Sequence, residues 1–385
     1  MKESTFTIAY ATVFWNHYQA AICREIANLL GPDRFKMCII EPLEEERRAL
    51  KWESAPPTRE WIIPPPENQD ERNRISQIMC DSDVAVMGSL GVEQSWYDIR
   101  LRNSKLTFRG GERSLKIPVW RSLLNPRFWV WGWKYRSSTR HHTLHHLAIG
   151  AYAARDARFI GAYASGRQWT WAYFAELSSE PPKPRGKHRL RILWVGRLVD
   201  WKRVDMLLVA SKRLRDKGIL EQLDIVGTGP ELPSLRQHAA ASGVNDVCRF
   251  HDPVSPDEVL AHMRRSDVYA FPSTRAEGWG VVANEAMSEG CILVANRQAG
   301  AAQMLIRNGE TGFMHDNGNV NQFVRIIESL AADPALQDRI RANAWAYVQR
   351  LWHPRIGAQR FVALCEGLLG VGAVPRYPDG PCSPA

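Results

Sequence analysis

The stretch Glu277-Gly-Trp-Gly-Val-Val-Ala-Asn-Glu285 joins a predicted strand to a predicted helix. The apolar run Val268-Tyr-Ala-Phe-Pro-Ser273 before it is typical of a buried strand, and Glu285-Ala-Met-Ser-Glu289 after it favours a helix. Gly278 and Gly280 allow backbone N–H groups to approach a ligand closely, and the start of a helix attracts anions. The stretch therefore predicts a phosphate-binding junction at the end of a strand.

Two carboxylates flank this predicted phosphate site. Glu277 lies in the loop and Glu285 about one helical turn further along, so both can accept hydrogen bonds from a ligand rich in hydroxyl groups. The alternative is that Glu285 only complements the helix dipole while Glu277 is a solvated loop residue. The spacing and the neighbouring glycines favour the ligand-binding interpretation.

The chain before this junction repeats the same strand–loop–helix pattern. Predicted strands at 190–195 and 223–226 end in Gly196-Arg197 and in Gly227-Thr-Gly-Pro230, and each precedes a predicted helix. Arg197 and Lys202 follow the first of these strands, where a planar guanidinium and an ammonium group suit a diphosphate. Two cations and a helix N-terminus can stabilise a departing nucleoside diphosphate without a metal ion.

The first third of the chain also alternates strand and helix. Predicted strands at 6–14, 37–40, 83–88 and 105–108, with a helix at 18–30, indicate a second parallel sheet. The sequence thus predicts an α/β protein with two doubly wound, Rossmann-like parallel-sheet domains facing across a cleft. Ligands of such sheets bind at the carboxyl ends of the strands.

The domain boundaries follow from composition. A stretch rich in proline, glycine and charge begins at Ser178, so we predict an amino-terminal, acceptor-side domain at 1–177, a linker at 178–189 and a donor-binding domain at 190–372. The last helix of the donor-binding domain can also pack back on the first domain. The proline-rich tail, 373–385, is predicted to be disordered.

Overall composition indicates a soluble globular protein. Hydrophobic residues make up 45% and charged residues 24% of the 385 residues, and no apolar run reaches the roughly 18 residues that a membrane span needs. Because no secretory signal is visible, we expect a cytoplasmic protein, with a possible peripheral position on the inner face of the membrane. The seven cysteines are scattered, which favours core thiols over disulfides or a zinc knuckle.

The positive charge is concentrated in residues 100–189, which we call the basic belt. It contains 18 Lys and Arg against 4 Asp and Glu, and its segment Arg121–Arg136 interleaves four cations with five aromatic rings. Nucleic acid, an anionic membrane surface, an acidic substrate or a merely solvated face would each explain it. No nucleic-acid-binding motif accompanies the belt, so nucleic acid is not expected as a partner.

Residues 190 to about 365 resemble the nucleotide-sugar-binding domain of retaining GT-B glycosyltransferases of family 4, also called glycosyltransferase group 1. The resemblance is carried by these segments: Gly196-Arg197-Leu198 with Lys202, Gly227-Thr-Gly-Pro230, Pro272-Ser273, Glu277-Gly-Trp-Gly280, Glu285-Ala-Met287 and Asn308-Gly-Glu-Thr-Gly312. It implies that Arg197 and Lys202 hold the donor diphosphate and that Glu285 binds the ribose hydroxyls. The transferred sugar and the phosphates would meet Glu277 and the backbone of Gly278, Trp279, Gly280 and Val281, beside donor-binding glycines Gly196, Gly227 and Gly229.

The first half resembles bacterial members of that group that act in surface-polysaccharide assembly. The matching segments are Asn16-His17-Tyr18-Gln19, Leu106-Thr-Phe-Arg109 with Glu112-Arg113, Gly150-Ala-Tyr-Ala-Ala154 with Asp156, and Trp171-Ala-Tyr-Phe174. They imply acceptor-side roles for Asn16, Gln19, Arg109 and Glu112. His17 is expected to position reacting groups, with a structural histidine as the alternative.

The chain departs from the family pattern in two places. Phe14-Trp-Asn-His17 stands where many members have a glycine-rich loop, which puts the amino-terminal contacts to donor and acceptor in question. Arg203 stands where many have a glycine after the phosphate-binding lysine, and it either adds charge or faces solvent.

Two other groups of residues contain potential metal ligands. Asp81-Ser-Asp83 precedes an apolar strand instead of ending one, which favours a turn over a metal site. The histidines His141, His142, His145 and His146 have helical spacing without a neighbouring carboxylate or cysteine, which favours a basic helical face over a metal site. No cofactor and no metal ion are expected.

We therefore predict an enzyme that moves a sugar from a nucleoside-diphosphate sugar to an acceptor hydroxyl with retention of configuration. The expected partners are the donor, a sugar or lipid-linked acceptor in bacterial surface polysaccharide or glycolipid assembly, and an anionic membrane surface contacted by the basic belt. The alternatives are a nucleotide-sugar epimerase on the same fold and a catalytically idle GT-B binding partner.

Overall fold

The computed structural model describes residues 5–43, 56–88, 94–116, 121 and 123–385. These residues form two compact units. Unit 1 contains the described residues within 1–45, 53–174 and 351–385, and unit 2 contains those within 175–350.

Unit 1 is built on a parallel sheet. Its strands are β1 (Ile8–Thr12), β2 (Phe35–Ile39), β3 (Ile62–Ile63), β4 (Val84–Met87), β5 (Leu106–Gly111), β6 (Leu144–Ile149) and β7 (Gln168–Trp171). They follow the order β3-β2-β1-β4-β5-β6-β7, and every pair is parallel. Its helices are α1 (His17–Leu30), α2 (Gln69–Asp81), α3 (Gln94–Arg102), α4 (Pro126–Thr139) and α5 (Ala153–Ile160).

Unit 2 repeats this architecture. Its strands are β8 (Leu190–Val195), β9 (Leu220–Val226), β10 (Cys248–His251), β11 (Val268–Phe271), β12 (Ile292–Asn296) and β13 (Gly312–His315), in the parallel order β10-β9-β8-β11-β12-β13. Its helices are α6 (Val204–Asp216), α7 (Leu232–Ala241), α8 (Pro256–Arg265), α9 (Val282–Ser288), α10 (Ala302–Leu305), α11 (Val320–Ala332) and α12 (Pro334–Tyr347). The two predicted parallel-sheet α/β domains are confirmed.

The apolar strand sequences explain why both sheets form. Every residue of β11 and β12 is buried, as expected for parallel strands that are covered by helices on both faces. In unit 2, side chains such as Trp194 and Phe323 join a continuous core between the sheet and its helices. The carboxyl ends of β8, β9 and β11 are therefore fixed in place, and the candidate site residues follow these ends.

The chain leaves unit 2 earlier than the sequence predicts. A last helix, α13 (Pro354–Leu368), belongs to unit 1, where its Phe361 ring lies 5.1 Å from the Phe108 ring. A β-carbon on Gly357 would approach the Phe174 ring to 2.6 Å, so only glycine permits this close contact. Periodicity predicts that a helix forms at 354–368, but it does not specify which unit the helix packs against.

The predicted linker, 178–189, is fixed to unit 2. The Arg185 guanidinium donates to the carbonyls of Ser266 at 2.7 Å and Gly290 at 3.0 Å, while the Arg185 N–H donates to Asp338 at 2.9 Å. These long-range bonds explain why a proline-rich sequence is ordered here.

The prediction of a disordered tail is wrong. The N–H of Thr170 on β7 donates to the carbonyl of Ser383 at 2.8 Å, and the N–H of Cys382 donates to the carbonyl of Thr170 at 2.8 Å. Cys382 is fully buried. An edge strand offers unpaired backbone groups, and the tail satisfies those of β7, which composition alone does not reveal.

The predicted helical histidine face is also wrong, because His145 and His146 lie on β6 and are buried. His145 accepts a hydrogen bond from the Trp169 indole at 3.1 Å, and His146 bonds Gln168 at 3.1 Å. Burial lowers the pKa of both imidazoles to about 4, so they are neutral at pH 7 and add nothing to the basic belt.

The turn predicted before β4 and the core thiols predicted for the cysteines are confirmed. Asp83 lies in the turn before β4 and accepts hydrogen bonds from the backbone and hydroxyl of Thr7, at 2.8 and 3.0 Å. The seven cysteines are free thiols, and all except Cys80 are buried.

Within the described ranges, no helix is both long and apolar enough to cross a bilayer.

Candidate functional site

Trp279 packs inside the junction between β11 and α9. Trp279 is fully buried, and its indole N–H donates to the Asn284 side chain at 2.9 Å, which ties the loop to the helix. The side chain of Trp279 therefore serves packing, and only its backbone can meet a ligand. The helix that follows has seven residues, so its dipole is a weaker anion attractor than the sequence suggests.

Close backbone approach shapes this loop. Gly280 has φ 86°, and a β-carbon there would lie 2.2 Å from the Phe271 ring. On the other side, a β-carbon on Gly300 would lie 1.6 Å from the carbonyl oxygen of Gly278. Sequence reasoning missed Gly300, and only its run of small neighbours, Ala299, Ala301 and Ala302, hinted at a tight contact.

The structure brings Lys202 and Glu277 together. The Lys202 ammonium contacts the Glu277 carboxylate directly, and their side chains are 19% and 13% exposed. Lys202 ends a single 3₁₀ turn after β8, and the N–H of Thr274 donates to the carbonyl of Trp201 at 2.8 Å, which joins the two loops. A cation and a carboxylate that are 75 residues apart in sequence thus share one partly buried position.

The other two cations of the β8 loop differ in their surroundings. Arg197 is exposed, and its guanidinium lies 5.8 Å from the centre of the Trp201 ring. Arg203 donates hydrogen bonds to Asp205 at 3.0 Å, so its charge is directed away from a ligand. Arg203 has φ 54°, a conformation that glycine adopts without strain, which explains the glycine that the family pattern has here.

The loops after β8 and β9 touch through their predicted donor-binding glycines. A β-carbon on Gly227 would lie 2.0 Å from the carbonyl oxygen of Gly196, and one on Gly229 would lie 2.3 Å from the carbonyl oxygen of Leu198. The Leu198 N–H donates to the Thr228 carbonyl at 2.8 Å. These contacts hold Gly196, Gly227 and Gly229 in one backbone surface beside the loop that carries Lys202.

Glu285 is not a solvated carboxylate. It lies in the first turn of α9 and is 8% exposed. Burial, with a smaller contribution from the Glu289 carboxylate, raises the pKa of Glu285 to about 8. A neutral acid gives little complement to the helix dipole, so the structure disfavours that alternative and leaves a buried group suited to ligand hydroxyls.

Several buried polar atoms around this loop lack a protein partner. The hydroxyl of Ser273, the side-chain N–H₂ of Asn284 and the Nε of Arg275 make no hydrogen bond with the residues that the structure describes. Buried polar groups are nearly always satisfied in native proteins, by protein, water or ligand. Their concentration between residues 273 and 284 marks this loop as a polar ligand site.

Two of the predicted acceptor-side residues, Asn16 and Gln19, take part in the N-terminal cap of α1. The Asn16 side chain accepts from the N–H of Gln19 at 2.9 Å and donates to the Gln19 side chain at 2.9 Å. Thr12 contacts the same Gln19 oxygen. Asn16 and Gln19 therefore satisfy the open start of the helix, and the structure gives them a structural role. His17 is the first residue of α1, and its ring packs at 3.8 Å on the ring of Tyr18.

The other two acceptor-side residues lie near the end of β5: Arg109 is within the strand, and Glu112 is the first residue after it. The Arg109 guanidinium lies 4.9 Å from the centre of the Tyr97 ring and 5.5 Å from that of Tyr135, and its Nε has no hydrogen-bond partner among the described residues. Glu112 lies 3.5 Å from Lys116. Arg109 also interacts with the hydroxyls of Tyr97 and Tyr163, so tyrosine side chains surround its guanidinium.

The second half of the chain is similar in sequence to known proteins. The sequence model of the family described as Glycosyl transferases group 1 matches residues 178–346. The chain is 32% identical over 192 residues to a GDP-mannose-dependent alpha-(1-6)-phosphatidylinositol monomannoside mannosyltransferase of Mycolicibacterium smegmatis, a match that covers 45% of this chain and 50% of the relative. It is 30% identical over 187 residues to a D-inositol 3-phosphate glycosyltransferase of Streptomyces bingchenggensis, covering 46% of this chain and 41% of the relative. The chain thus spans half or less of the length of these curated relatives.

Solved structures match over nearly the whole chain. Anabaena HepE in complex with UDP and glucose superposes with a TM-score of 0.67 at 16% identity and covers 93% of this chain and 98% of its own. WaaG, a glycosyltransferase involved in lipopolysaccharide biosynthesis, has a TM-score of 0.60 at 15% identity and covers 91% of this chain and 98% of its own. At these identities the match establishes the fold alone. The chain therefore has the GT-B fold, and its residues 178–346 match the sequence model of the group 1 glycosyl transferases.

Proposed function

We propose that this protein transfers a sugar from a nucleoside-diphosphate sugar to an acceptor hydroxyl, with retention of anomeric configuration, in cell-surface polysaccharide or glycolipid assembly. The single observation that carries this proposal is the joining of Lys202 with Glu277 beside the buried Glu285 at the carboxyl ends of β8 and β11. The mannosyltransferase relative is named as GDP-mannose-dependent, and HepE was solved with UDP and glucose, which supports a nucleotide sugar as donor.

In this proposal the donor diphosphate contacts Lys202 and Arg197, because the leaving group gains negative charge as the glycosidic bond breaks. No metal ion takes part. The anomeric carbon loses its bond to the diphosphate oxygen and gains a bond to the acceptor oxygen on the same face, and the acceptor proton passes to the departing phosphate. No protein nucleophile is required, so His17 positions groups and is not an essential base.

Two other functions remain as outcomes to test. An epimerase would convert the nucleotide sugar without any acceptor, but the relatives named above are transferases. A catalytically idle binding partner would keep the fold without the chemistry, and the presence of all four donor-side groups argues against it: Arg197, Lys202, Glu277 and Glu285.

A transfer assay with a defined acceptor panel tests the function. The purified chain is incubated with UDP-glucose or GDP-mannose, and with inositol 3-phosphate, a phosphatidylinositol mannoside or bacterial lipid extract. We expect a glycosylated product whose anomeric configuration, read by NMR coupling constants, equals that of the donor. Inversion would contradict the retaining mechanism and assign His17 as general base, and epimerised nucleotide sugar without acceptor would identify an epimerase.

We also propose that α4 docks unit 1 on an anionic membrane, where a lipid-linked acceptor resides. The alternative, that its tryptophans pack inside the domain, does not hold for Trp129 and Trp133, which are 60% and 69% exposed. Trp131 is 40% exposed and stacks on Tyr135. Tryptophan favours the interface of a bilayer, and each nearby Lys or Arg contributes about 1 kcal/mol toward acidic lipid headgroups. Trp120, which also belongs to the basic belt, lies outside the described residues.

Liposome sedimentation tests this docking. The wild type is expected to bind vesicles with acidic lipids, to bind less as salt increases, and to lose most binding when the exposed cations Arg127, Lys134 and Arg136 are changed together to glutamine. The matched control changes three exposed cations in unit 2 to glutamine and should bind as the wild type does; these are Lys212 and Arg213 of α6 and Lys217, which follows it. Equal recovery in the supernatant with neutral and acidic vesicles at low salt would refute membrane docking.

A further inference from the structure

A cluster of three potential metal ligands lies in unit 2, on β9, β10 and α8, and it includes none of the candidate donor-site residues. Asp224 is on β9, His251 is the last residue of β10, and His262 is on α8. The His251 Nε2 lies 2.6 Å from the Asp224 Oδ1, and the two imidazole rings are 5.0 Å apart between centroids. One ligand atom from each of the three residues lies within 4.8 Å of the other two.

The strand pattern explains how these side chains meet. In β9, Leu223 and Ile225 point into the hydrophobic core of unit 2, so Asp224 between them points to the opposite face. Helix α8 connects β10 to β11 and carries His262. His251 pairs with Val226, two residues beyond Asp224, which brings its ring beside the carboxylate. Sequence distance hid the cluster, because its members come from three separate elements.

The position of Asp224 needs a physical explanation. It is 6% exposed and lies between the buried Leu223 and Ile225, where a carboxylate is costly unless it is paired or coordinates a cation. Its Oδ1 accepts a hydrogen bond from the Gln222 side-chain amide at 2.6 Å and also contacts the His251 ring. Two polar groups therefore meet at this one oxygen atom. The His262 imidazole makes no hydrogen bond within the part of the chain that the structure describes, although it lies in the same cluster.

We propose that Asp224, His251 and His262 form a binding site for a divalent transition-metal ion of the Zn²⁺ class. Two imidazoles and one carboxylate are ligands that Zn²⁺ and Ni²⁺ prefer, whereas Mg²⁺ and Ca²⁺ prefer sites made of oxygen atoms. Zn²⁺ binds such ligands at about 2.0–2.2 Å, which places ligand atoms about 3.4 Å apart in a tetrahedron. The three atoms reach that arrangement by small side-chain rotations, and solvent supplies the fourth ligand.

The role of this site is structural. An ion held by all three side chains would link β9, β10 and α8, and it would stabilise unit 2 with the logarithm of the free-ion concentration above its dissociation constant. None of the three ligands belongs to the candidate donor site, so the inference does not depend on the proposed function, although the N–H of the donor-site residue Gly227 donates to the carbonyl of His251 at 3.0 Å. The metal-free catalysis proposed above is also unaffected.

Zinc titration of the full chain tests the site. Protein without a histidine tag is stripped with a chelator, dialysed and titrated with ZnCl₂ by calorimetry, while thermal unfolding is followed in parallel. We expect one ion per chain and a melting temperature that rises as the free zinc concentration increases. When free zinc is 100 times its dissociation constant, this hundredfold excess corresponds to about 2.7 kcal/mol in the free energy of unfolding. The visible spectrum of added Co²⁺ should report a low-coordinate nitrogen and oxygen site.

Variants assign the ligands. His262→Ala should lose both zinc binding and the zinc-dependent rise in melting temperature, yet it should fold normally, because His262 makes no described hydrogen bond. The matched control is His141→Asn with His142→Asn, a histidine pair whose ring centroids are 4.4 Å apart in unit 1. Failure of the wild type to bind zinc, unchanged binding in His262→Ala, loss of binding in the control, or equal binding of Mg²⁺ would each overturn the proposal.

Discussion

Lys202→Ala and Arg197→Ala are expected to lower the transfer rate by about 10²–10³-fold each while the protein stays folded. Each change removes a positive charge that stabilises the leaving diphosphate, and charge-stabilising groups of this kind contribute about 2.7–4 kcal/mol to a transition state. The effect of Lys202→Ala should be the larger, because this lysine is only 19% exposed and its loss also leaves the Glu277 carboxylate without its cation.

Steady-state kinetics with a saturating acceptor measure this effect, and circular dichroism with thermal unfolding monitors the fold. The matched control is Lys212→Ala, which removes an exposed lysine of the same unit that pairs with Asp216 at 3.6 Å. The control should retain wild-type turnover. Near-normal turnover in both site variants would show that the diphosphate binds elsewhere.

Glu285→Gln should stabilise the ligand-free protein at pH 8 and weaken nucleotide binding. The pKa of Glu285 is about 8 in the folded protein, above the ordinary value of 4.5, so between these pH values the folded protein holds a proton that the unfolded chain has released. Stability is therefore lost as the pH rises from about 4.5 to about 8. Glutamine does not ionise, and since one pKa unit corresponds to about 1.4 kcal/mol, the gain at pH 8 should reach several kcal/mol.

Unfolding of the wild type and Glu285→Gln by urea at pH 4.5 and pH 8 measures this difference. The two proteins should be nearly equal at pH 4.5 and diverge at pH 8. Glu310→Gln, at an exposed position of the same unit, is the control and should match the wild type at both pH values. A variant that is less stable than the wild type at pH 8 would refute the buried neutral acid.

The same residue gives nucleotide binding a pH dependence of opposite sign. Ribose hydroxyls donate hydrogen bonds, so they favour the ionised carboxylate, and binding must release the proton of Glu285 below pH 8. The affinity of the wild type relative to Glu285→Gln should therefore rise with pH, by at most about tenfold for each pH unit up to 8. Taking the ratio removes the titration of the nucleotide itself.

Local patterns were sufficient to predict much of unit 2. The apolar strands before Gly196, Gly227 and Glu277, with their turns and helices, are short-range signals, and their parallel order follows from the alternation. The pairing of Lys202 with Glu277 was also accessible, because the carboxyl ends of parallel strands lie on one edge of a sheet. What sequence did not show was the burial of Glu285, which depends on the packing around the short helix α9.

The missed features all depend on contacts between distant segments. The tail at 380–385 is ordered because it pairs with β7, and His145 and His146 lie on a strand because β6 pairs with β5 and β7. Asn16, predicted as an acceptor-side residue, also caps α1, a role that its motif does not indicate. No motif indicates Gly300, because glycine is required there only by the close approach of the Gly278 carbonyl oxygen.

The central claim is that a nucleoside diphosphate binds the loops after β8 and β11. Hydrogen exchange, measured by mass spectrometry with and without saturating UDP or GDP, tests it most directly. The account predicts slower exchange in peptides covering 196–203 and 273–286, with no change in the exposed face of α6 and with the protection reduced in Lys202→Ala at the same nucleotide concentration. Protection confined to other segments, or equal protection in the variant, would contradict it.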